Sequence, residues 1–423
     1  MPRKISKFAY LYWFLAAFFY FYQYVLRVST GVVTDNLMLE FDITASTLGT
    51  IMGLSSISYV IFQIPAGSTT DYFGVKRLLP LSILVCAFGA FLFGSAQDMV
   101  SLLISRVLLG GASAFAFIGA AKIISLYFPE RRMAAMVSLT ILVGSAGGVI
   151  GVGPLAFLIN NFGWRVSILW VAMLGGALSI ALYMLGRQQR QPLNKKVEAA
   201  RNVSLLTGIK KAVSTPQVLV ICAWSFCIYM PLCVFADAWG VPYIMSALAL
   251  PKPIAASHIS LIYIGLLFGC PFYGWIGTRS SNYRAIFSFS TFGLLICFSF
   301  LLWGLPLNIY VMDTLLFTVG FLNCVQLLMF PGAVRHTSTE FTGSVVGVVN
   351  TATMLSGAVF QKMLGVGLDY FWDGQRCDGV PVYSTRCYQI PLSVILVMMA
   401  LGTCVALFIK APRDGGKHSG FHK

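Results

Sequence analysis

Six ionisable side chains fall inside long apolar stretches of the sequence: Arg27, Arg106, Lys122, Lys362, Asp237 and Asp313. A charge in hydrocarbon is costly unless it is paired or wet, so each is a candidate for function by default. Arg27 lies as far beyond Phe8 as Asp237 lies beyond Val218, which places the two at matching depth in their stretches. An arginine fork can hold a carboxylate bidentately, and a desolvated carboxylate can carry a proton. Three readings stay open. In the first, Arg27 pairs with a substrate carboxylate while Asp237 receives an ammonium, which suits a zwitterionic amino acid. In the second, Arg27, Arg106, Asp237 and Asp313 form salt bridges that close a gate, and the solute touches none of them. In the third, Asp237 or Asp313 is the proton carrier, reset by an arginine when the site reopens. The plain alternative is structural pairing that only satisfies buried charge.

Uncharged candidates surround these. Tyr20, Gln23 and Tyr24 recur at helical spacing before Arg27, although an aromatic face also serves ordinary packing. Asn323, Gln326 and Asn350 can hydrogen-bond a polar solute, or bond across helices for up to about 2 kcal/mol. Lys122, near the end of its stretch, has the reach to snorkel. Lys362 has a less easy escape and is expected in the cleft. Of the ten cysteines, Cys377 and Cys387 share a polar loop. The charge argument below puts that loop outside, where a disulfide is chemically allowed. The sequence has no Cys-x-x-Cys, and its histidines, at 258, 336, 418 and 422, stand apart from the cysteines. No metal site and no cofactor are expected.

The elements that position these groups follow from composition. The chain of 423 residues is 58% hydrophobic and 10% charged, with a mean hydropathy of +0.81. That excludes a soluble domain. The runs are too long and too poor in alternation for an outer-membrane barrel. Met1 to Lys7 is a short basic tip, and the apolar run after it is long enough to stay in the membrane, so no cleaved signal peptide is expected. With about 20 residues needed per crossing, twelve spans are predicted: 8–34, 47–67, 78–96, 100–126, 133–158, 165–186, 218–246, 256–277, 285–304, 307–333, 343–369 and 389–410. The fold class is all-α and integral to a membrane. Tests for a membrane enzyme or sensor find no His-Glu-x-x-His, no Gly-x-Ser-x-Gly and no phosphate loop.

Charge orients the spans. Placing the N-terminus inside puts Arg3, Lys4, Lys7, Lys76, Arg77, Arg131 and Arg132 on the inner side, with the basic stretch from Arg187 to Lys211. The outer segments then hold only Arg165, Lys252, Arg376 and Arg386. The positive-inside rule places both termini in the cytoplasm. The net charge of +15 therefore reflects topology and anionic-lipid contact, not a nucleic-acid footprint. The polar stretch after Arg187 divides six spans from six, giving a bundle over 1–186, a linker over 187–217, a second bundle over 218–410 and a tail over 411–423. One constant offset lays Gly67 on Gly274, Asp71 on Thr278, Arg77 on Arg284 and Arg106 on Asp313, so the halves repeat.

The stretch Gly67-Ser68-Thr69-Thr70-Asp71-Tyr72-Phe73-Gly74-Val75-Lys76-Arg77 lies between the second and third spans and reads as a sharp turn. Its pattern, Gly-x-x-x-Asp-x-x-Gly-x-Lys-Arg, resembles the signature loop of the major facilitator superfamily, with Tyr72 where that family carries a cation. Arg106-Val107-Leu108-Leu109-Gly110-Gly111 is similar to the superfamily's second motif. The resemblance implies two six-helix bundles related by pseudo-symmetry, alternating access, and a cleft lined by spans 1, 4, 7 and 10. Asp71 would then latch the N-terminal end of span 11 with Arg131 or Arg132. A narrower resemblance, carried by Tyr22-Gln23-Tyr24-Val25-Leu26-Arg27, Gln63-Ile64-Pro65-Ala66-Gly67 and Trp239-Gly240-Val241-Pro242-Tyr243, is to the phagosomal transporter branch of intracellular bacteria. That branch implies uptake of amino acids or nucleosides. Asp237 departs from the small residue expected there. The expectation is a monomeric inner-membrane importer of a small polar nutrient, foremost an amino acid, with proton symport. Export, or import of nucleosides or organic anions, is the alternative.

Overall fold

A computed structural model describes residues 7–188, 205–280, 282–304, 308–338, 341–377 and 380–410. Most of the expected linker and the whole tail lie outside the described residues. The first half holds α1 (Lys7–Val32), the short α2 (Thr34–Phe41), α3 (Ala45–Phe73), α4 (Val75–Ser95), α5 (Met99–Tyr127), α6 (Glu130–Phe162) and α7 (Trp164–Gln188). A short helix, α8 (Leu205–Val213), stands where the linker was read as a polar loop. Its Ile209 and Ala212 side face the protein while Lys210 and Lys211 carry its charge.

The second half opens with a broken span: α9 (Pro216–Ile228), a π-helical segment (Pro231–Trp239) and α10 (Gly240–Leu248). It continues with α11 (Lys252–Arg279), α12 (Tyr283–Trp303) and α13 (Ile309–Asn323). A 3-10 turn (Cys324–Leu328) joins α13 to α14 (Met329–Val334), and α15 (Thr342–Tyr370) follows. A two-residue hairpin, β1 (Arg376–Cys377) with β2 (Val380–Pro381), precedes α16 (Thr385–Ala406). Among the described residues, eleven helical segments are long and apolar enough to cross a membrane. The twelfth span, α1, has 26 residues but carries tyrosines, Gln23 and Arg27 along its length.

Local chemistry sets several starts. Asp98 caps α5 by accepting from the Ser101 backbone N–H at 2.8 Å. That bond and the Ser101 hydroxyl hold its carboxyl below the usual range. Asn282 and Asn308 cap α12 and α13 in the same way. The expected turn over 67–77 is far tighter than the sequence implies. α3 continues through Asp71 to Phe73 and α4 begins at Val75, so Gly74 alone makes the corner, with φ of +79°. That backbone is one glycine accepts freely. Gly67 sits inside α3.

Packing repeats between the halves. α3 crosses α5 where a Cβ on Gly110 would lie 2.0 Å from the Ser55 carbonyl oxygen. α11 crosses α13 where a Cβ on Gly320 would lie 1.8 Å from the Ile262 carbonyl oxygen. The offset that relates the halves carries Ser55 onto Ile262 and Gly110 onto Phe317, one helical turn from Gly320, so the crossing is built twice with its glycine moved by a turn. The halves meet along α3 with α15 and α6 with α11, a pair of contacts that exchange under the same pseudo-symmetry.

These seams are closed at one end only. Gly49 approaches the Gln361 carbonyl and Gly365 approaches the Ala45 carbonyl, each within 2.5 Å of an added Cβ. Towards the Gly74 corner, Gly67 on α3 and Gly343 and Gly347 on α15 meet nothing within 4 Å. α3 and α15 therefore diverge, and the space between the halves opens towards the face carrying Gly74 and both described chain ends.

Gly320→Ala forces a methyl into a backbone contact, an overpacking worth about 1–3 kcal/mol. It is expected to lower the melting temperature of the detergent-solubilised protein. Gly176→Ala, where nothing lies within 4 Å, leaves it unchanged. Equal melting of the two variants would contradict the crossing geometry.

Candidate functional site

Tyr20, Gln23, Tyr24 and Arg27 share one face of α1, at helical spacing, and line a cavity of about 110 Å³ between the halves. Arg27 reaches its partner because α1 nearly touches the π-helical segment. A Cβ on Gly31 would lie 2.5 Å from the Asp237 carbonyl and 2.8 Å from that of Ala238. The segment begins at Pro231 and widens the helix by one residue per turn, with the Gly240 N–H bonded to the Phe235 carbonyl. Such widenings occur mostly as local features at functional sites. Here it carries Asp237.

Arg27 Nε donates to Asp237 Oδ2 at 2.8 Å. Its Nη2 donates to the Tyr229 hydroxyl, and its Nη1 lies 3.8 Å from Met354 Sδ. The guanidinium carbon stands 5.6 Å from the centre of the Tyr24 ring and 5.3 Å from that of Tyr229, within cation–π range. Tyr263 donates its hydroxyl to Asp237 Oδ1. The two charges differ in access: the Arg27 side chain is 20% exposed and that of Asp237 2%. Asp237 lies behind the guanidinium and does not line the cavity. Among the described residues, Arg27 is the only charged side chain that does.

The other candidates divide. Asn323 and Gln326 line the cavity, brought there by the 3-10 break. Asn323 donates to the Ile228 carbonyl at 3.0 Å, while Gln326 Nε2 is buried with no hydrogen-bond partner among the described residues. Asn350 also lines the cavity. Lys362, expected in the cleft, is exposed on the outside of α15 and does not line it. Its helix turns Gln361 inwards instead, to donate to the Cys233 carbonyl at 2.8 Å.

Arg106 and Asp313 do not meet each other. Arg106 is buried with its guanidinium carbon 3.9 Å from the centre of the Phe93 ring. Its Nε and Nη2 have no hydrogen-bond partner among the described residues. It lines a smaller cavity of about 40 Å³ together with Gln23, Arg27, Ser55 and Ser113. Asp313 pairs instead with His258 Nδ1 at 2.5 Å, between α13 and α11. The four-charge gate thus reduces to one pair across the halves. Sequence reading set His258 aside as peripheral; its approach to Asp313 depends on the α11–α13 crossing, which no motif announces.

Sequence reading also missed the closure at the far end. Asp369, near the end of α15, accepts from the Ala45 N–H at 3.0 Å and the Ser46 N–H at 2.8 Å. It thereby caps the first turn of α3 across the seam between the halves. Tyr383 donates to the same carboxylate at 2.7 Å. Beside it, Lys252 bridges to Asp35 at 2.5 Å and Asn36 at 2.7 Å. Of the signature stretch, Lys76 and Arg77 open α4, and the Asp71 side chain lies outside the described residues, as does that of Arg131. Cys387 carries a free thiol that donates to the Phe371 carbonyl at 3.0 Å, and the Cys377 side chain lies outside the described residues.

A family model described as the Major Facilitator Superfamily matches residues 12–361. The chain belongs to that superfamily. As a member of it, the chain is a multi-pass membrane protein. It is 24% identical over 180 residues to the hexuronate transporter of Bacillus subtilis, covering 42% of this chain and 42% of that one. It is 29% identical over 178 residues to the 4-hydroxybenzoate transporter of Acinetobacter baylyi, covering 41% of this chain and 38% of that one. The chain thus spans less than half the length of these curated relatives. Among solved structures, a bacterial homologue of the human lysosomal transporter Spinster, inward-facing and occupied, superposes with a TM-score of 0.78 at 13% identity. That match covers 95% of this chain and 96% of the other, and it shows the shared fold.

Asp369→Ala strips the acceptors from two N–H groups, each costing about 1–3 kcal/mol when left unsatisfied. The seam at Ala45 should loosen. A Ser46→Cys reporter in that background is expected to react faster with a membrane-impermeant thiol reagent than the same reporter with Asp369 intact. An unchanged rate would show that the cap does not hold the seam shut.

Proposed function

We propose that this superfamily transporter takes up a small organic anion by alternating access with proton symport, Arg27 holding the anion's carboxylate and Asp237 carrying the proton. One observation supports the reading above the others: the cavity exposes a single cation, while the acid paired with it is hidden. A zwitterionic amino acid would find a cation for its carboxylate and, among the described lining residues, no anion for its ammonium. The transporters of hexuronate and 4-hydroxybenzoate named above move solutes that share a carboxylate, which fits the same preference. The amino-acid expectation gives way on this point. The lining adds selectivity in kind: Gln23, Asn323, Gln326 and Asn350 offer amide hydrogen bonds beside the aromatic faces of Tyr20, Tyr24 and Tyr59.

The pair supplies a coupling route. An incoming carboxylate competes with Asp237 for the guanidinium, because the Arg27 fork faces the lumen. Asp237 without its cation is an uncompensated buried charge, strongly disfavoured, and taking up a proton removes that charge. Proton and anion then leave the outer ground state together, and release of both restores the Arg27–Asp237 bond. The positive-inside bias supports an orientation with the open face and both termini in the cytoplasm of a bacterial inner membrane. The state described is then inward-open, with Asp369, Lys252 and the glycine seams closing the periplasmic side. The bundles at 1–186 and 218–410 rock about the Arg27 layer, and a monomer suffices for this cycle.

Proteoliposome uptake of labelled sugar acids, aromatic acids and amino acids, with and without an inward proton gradient, tests the reading. Gradient-driven accumulation of one carboxylate class is expected. Arg27→Lys, which loses the fork, should weaken apparent affinity by about tenfold to a hundredfold, since 1.4 kcal/mol is tenfold. Asp237→Asn should abolish accumulation and spare exchange. Accumulation of neutral amino acids in preference to all anions would overturn the substrate reading. Loss of exchange together with accumulation in Asp237→Asn would overturn the proton role.

A further inference from the structure

The lining of the main cavity carries two thiols from the second half. Cys270 comes from the inner half of α11 and Cys324 from the first position of the 3-10 turn after α13. Their sulfurs lie 3.5 Å apart, and both residues line the cavity. The approach is built in: a Cβ on Gly269 would lie 2.8 Å from Cys324 Cβ and 2.9 Å from its Sγ, so only glycine next to Cys270 admits the turn. The Cys324 thiol donates to the Leu266 carbonyl of α11 at 3.1 Å. Both cysteines are free thiols. Among the described residues, no other pair of cysteine sulfurs comes this close. Met329 and Met354 add thioether sulfurs to the same lining.

We propose that Cys270 and Cys324 form a dithiol binding site in the transport cavity whose ligand class is the trivalent arsenicals. The separation selects among thiophilic ligands. With metal–sulfur bonds of about 2.3 Å, a linear two-thiolate centre spreads its sulfurs to about 4.6 Å, whereas a bent one near 100° needs about 3.5 Å. Trivalent arsenic, with a lone pair and pyramidal bonds, is bent. An arsenoxide R–As=O condenses with the two thiols: two As–S bonds form, the As=O bond breaks, and the oxygen leaves with both thiol protons as water. Arsenic stays trivalent and no electron acceptor is needed. The organic group on arsenic then projects into the lumen and obstructs it to other solutes. This site does not depend on the anion reading, since its sulfurs and Arg27 lie on different helices of the cavity.

Phenylarsine oxide added to the purified full chain in detergent provides the test, read by intact mass. The expected product is one adduct per chain, its mass equal to one reagent less one water, removed by 2,3-dimercaptopropanol and resistant to excess monothiol. Cys270→Ser and Cys324→Ser should each abolish the monothiol-resistant adduct. Cys270→Ala and Cys324→Ala, checked for an unchanged elution profile, separate loss of the site from loss of fold. Retention of the adduct in both single variants, or absence of a monothiol-resistant adduct in the unaltered chain, would overturn the proposal. Failure of anion uptake alone would leave this result untouched, and failure of arsenical binding would leave the uptake reading untouched.

Discussion

A guanidinium that faces the cavity between the halves is met there by a counter-charge, and much of the structure serves to bring that charge to it. Arg27 has Asp237, delivered from the other half by a helix that widens at Pro231–Trp239 and by a glycine, Gly31, that lets two backbones nearly touch. The bond is asymmetric in its access to the lumen. One partner is sealed behind the guanidinium and the Tyr263 hydroxyl, and the other looks into the cavity. A buried pair of this kind adds little net stability over a well-packed apolar one, which makes it a poor device for holding a fold together. It is a good device for exchange, because a ligand that replaces Asp237 at the guanidinium changes the charge state of a buried acid.

The closing seams give that exchange a mechanical consequence. α3 with α15 and α6 with α11 are the same contact made twice, and the first is tight away from Gly74 and open towards it. Beside the glycine approaches, the tight end carries polar contacts: a carboxylate capping a helix in the other half, a lysine bridging to an acid and an amide, and a serine hydroxyl accepting from the Gly153 N–H at 2.9 Å. Such bonds can be made and broken without unpacking either bundle, whereas the Gly110 and Gly320 crossings within each half cannot. The division between rigid bundle and sliding seam is thus written into where backbone meets backbone.

Much of this was legible in the sequence. Composition and run length gave the spans to within a few residues, and even spacing from the start of two helices put Arg27 and Asp237 at one depth. The offset between halves, noticed through Gly67, Asp71, Arg77 and Arg106, also relates Ser55 to Ile262, a pair that only the packing of the helices picks out. What the sequence did not show depends on tertiary angles. Lys362 and Gln361 are neighbours, and a rotation of about 100° decides which of them faces inwards. Asp313 and Arg106 occupy related positions, yet side-chain direction sends one to His258 and the other under Phe93. The latch at Asp369 joins residues more than three hundred positions apart with no motif at either. The signature stretch read as a loop because its glycines and charges resemble one, while only Gly74 leaves the helical backbone.

The account turns on whether an anion takes Arg27 from Asp237. Calorimetric titration of the purified protein with its transported carboxylate, repeated in buffers of different ionisation enthalpy, counts the protons taken up per anion bound. The account predicts about one proton per anion in the unaltered chain near neutral pH and none in Asp237→Asn, because exchange of partners at the guanidinium obliges Asp237 to neutralise. Anion binding with no proton uptake in the unaltered chain would mean that the Arg27–Asp237 bond survives occupancy, and the coupling proposed here would be wrong.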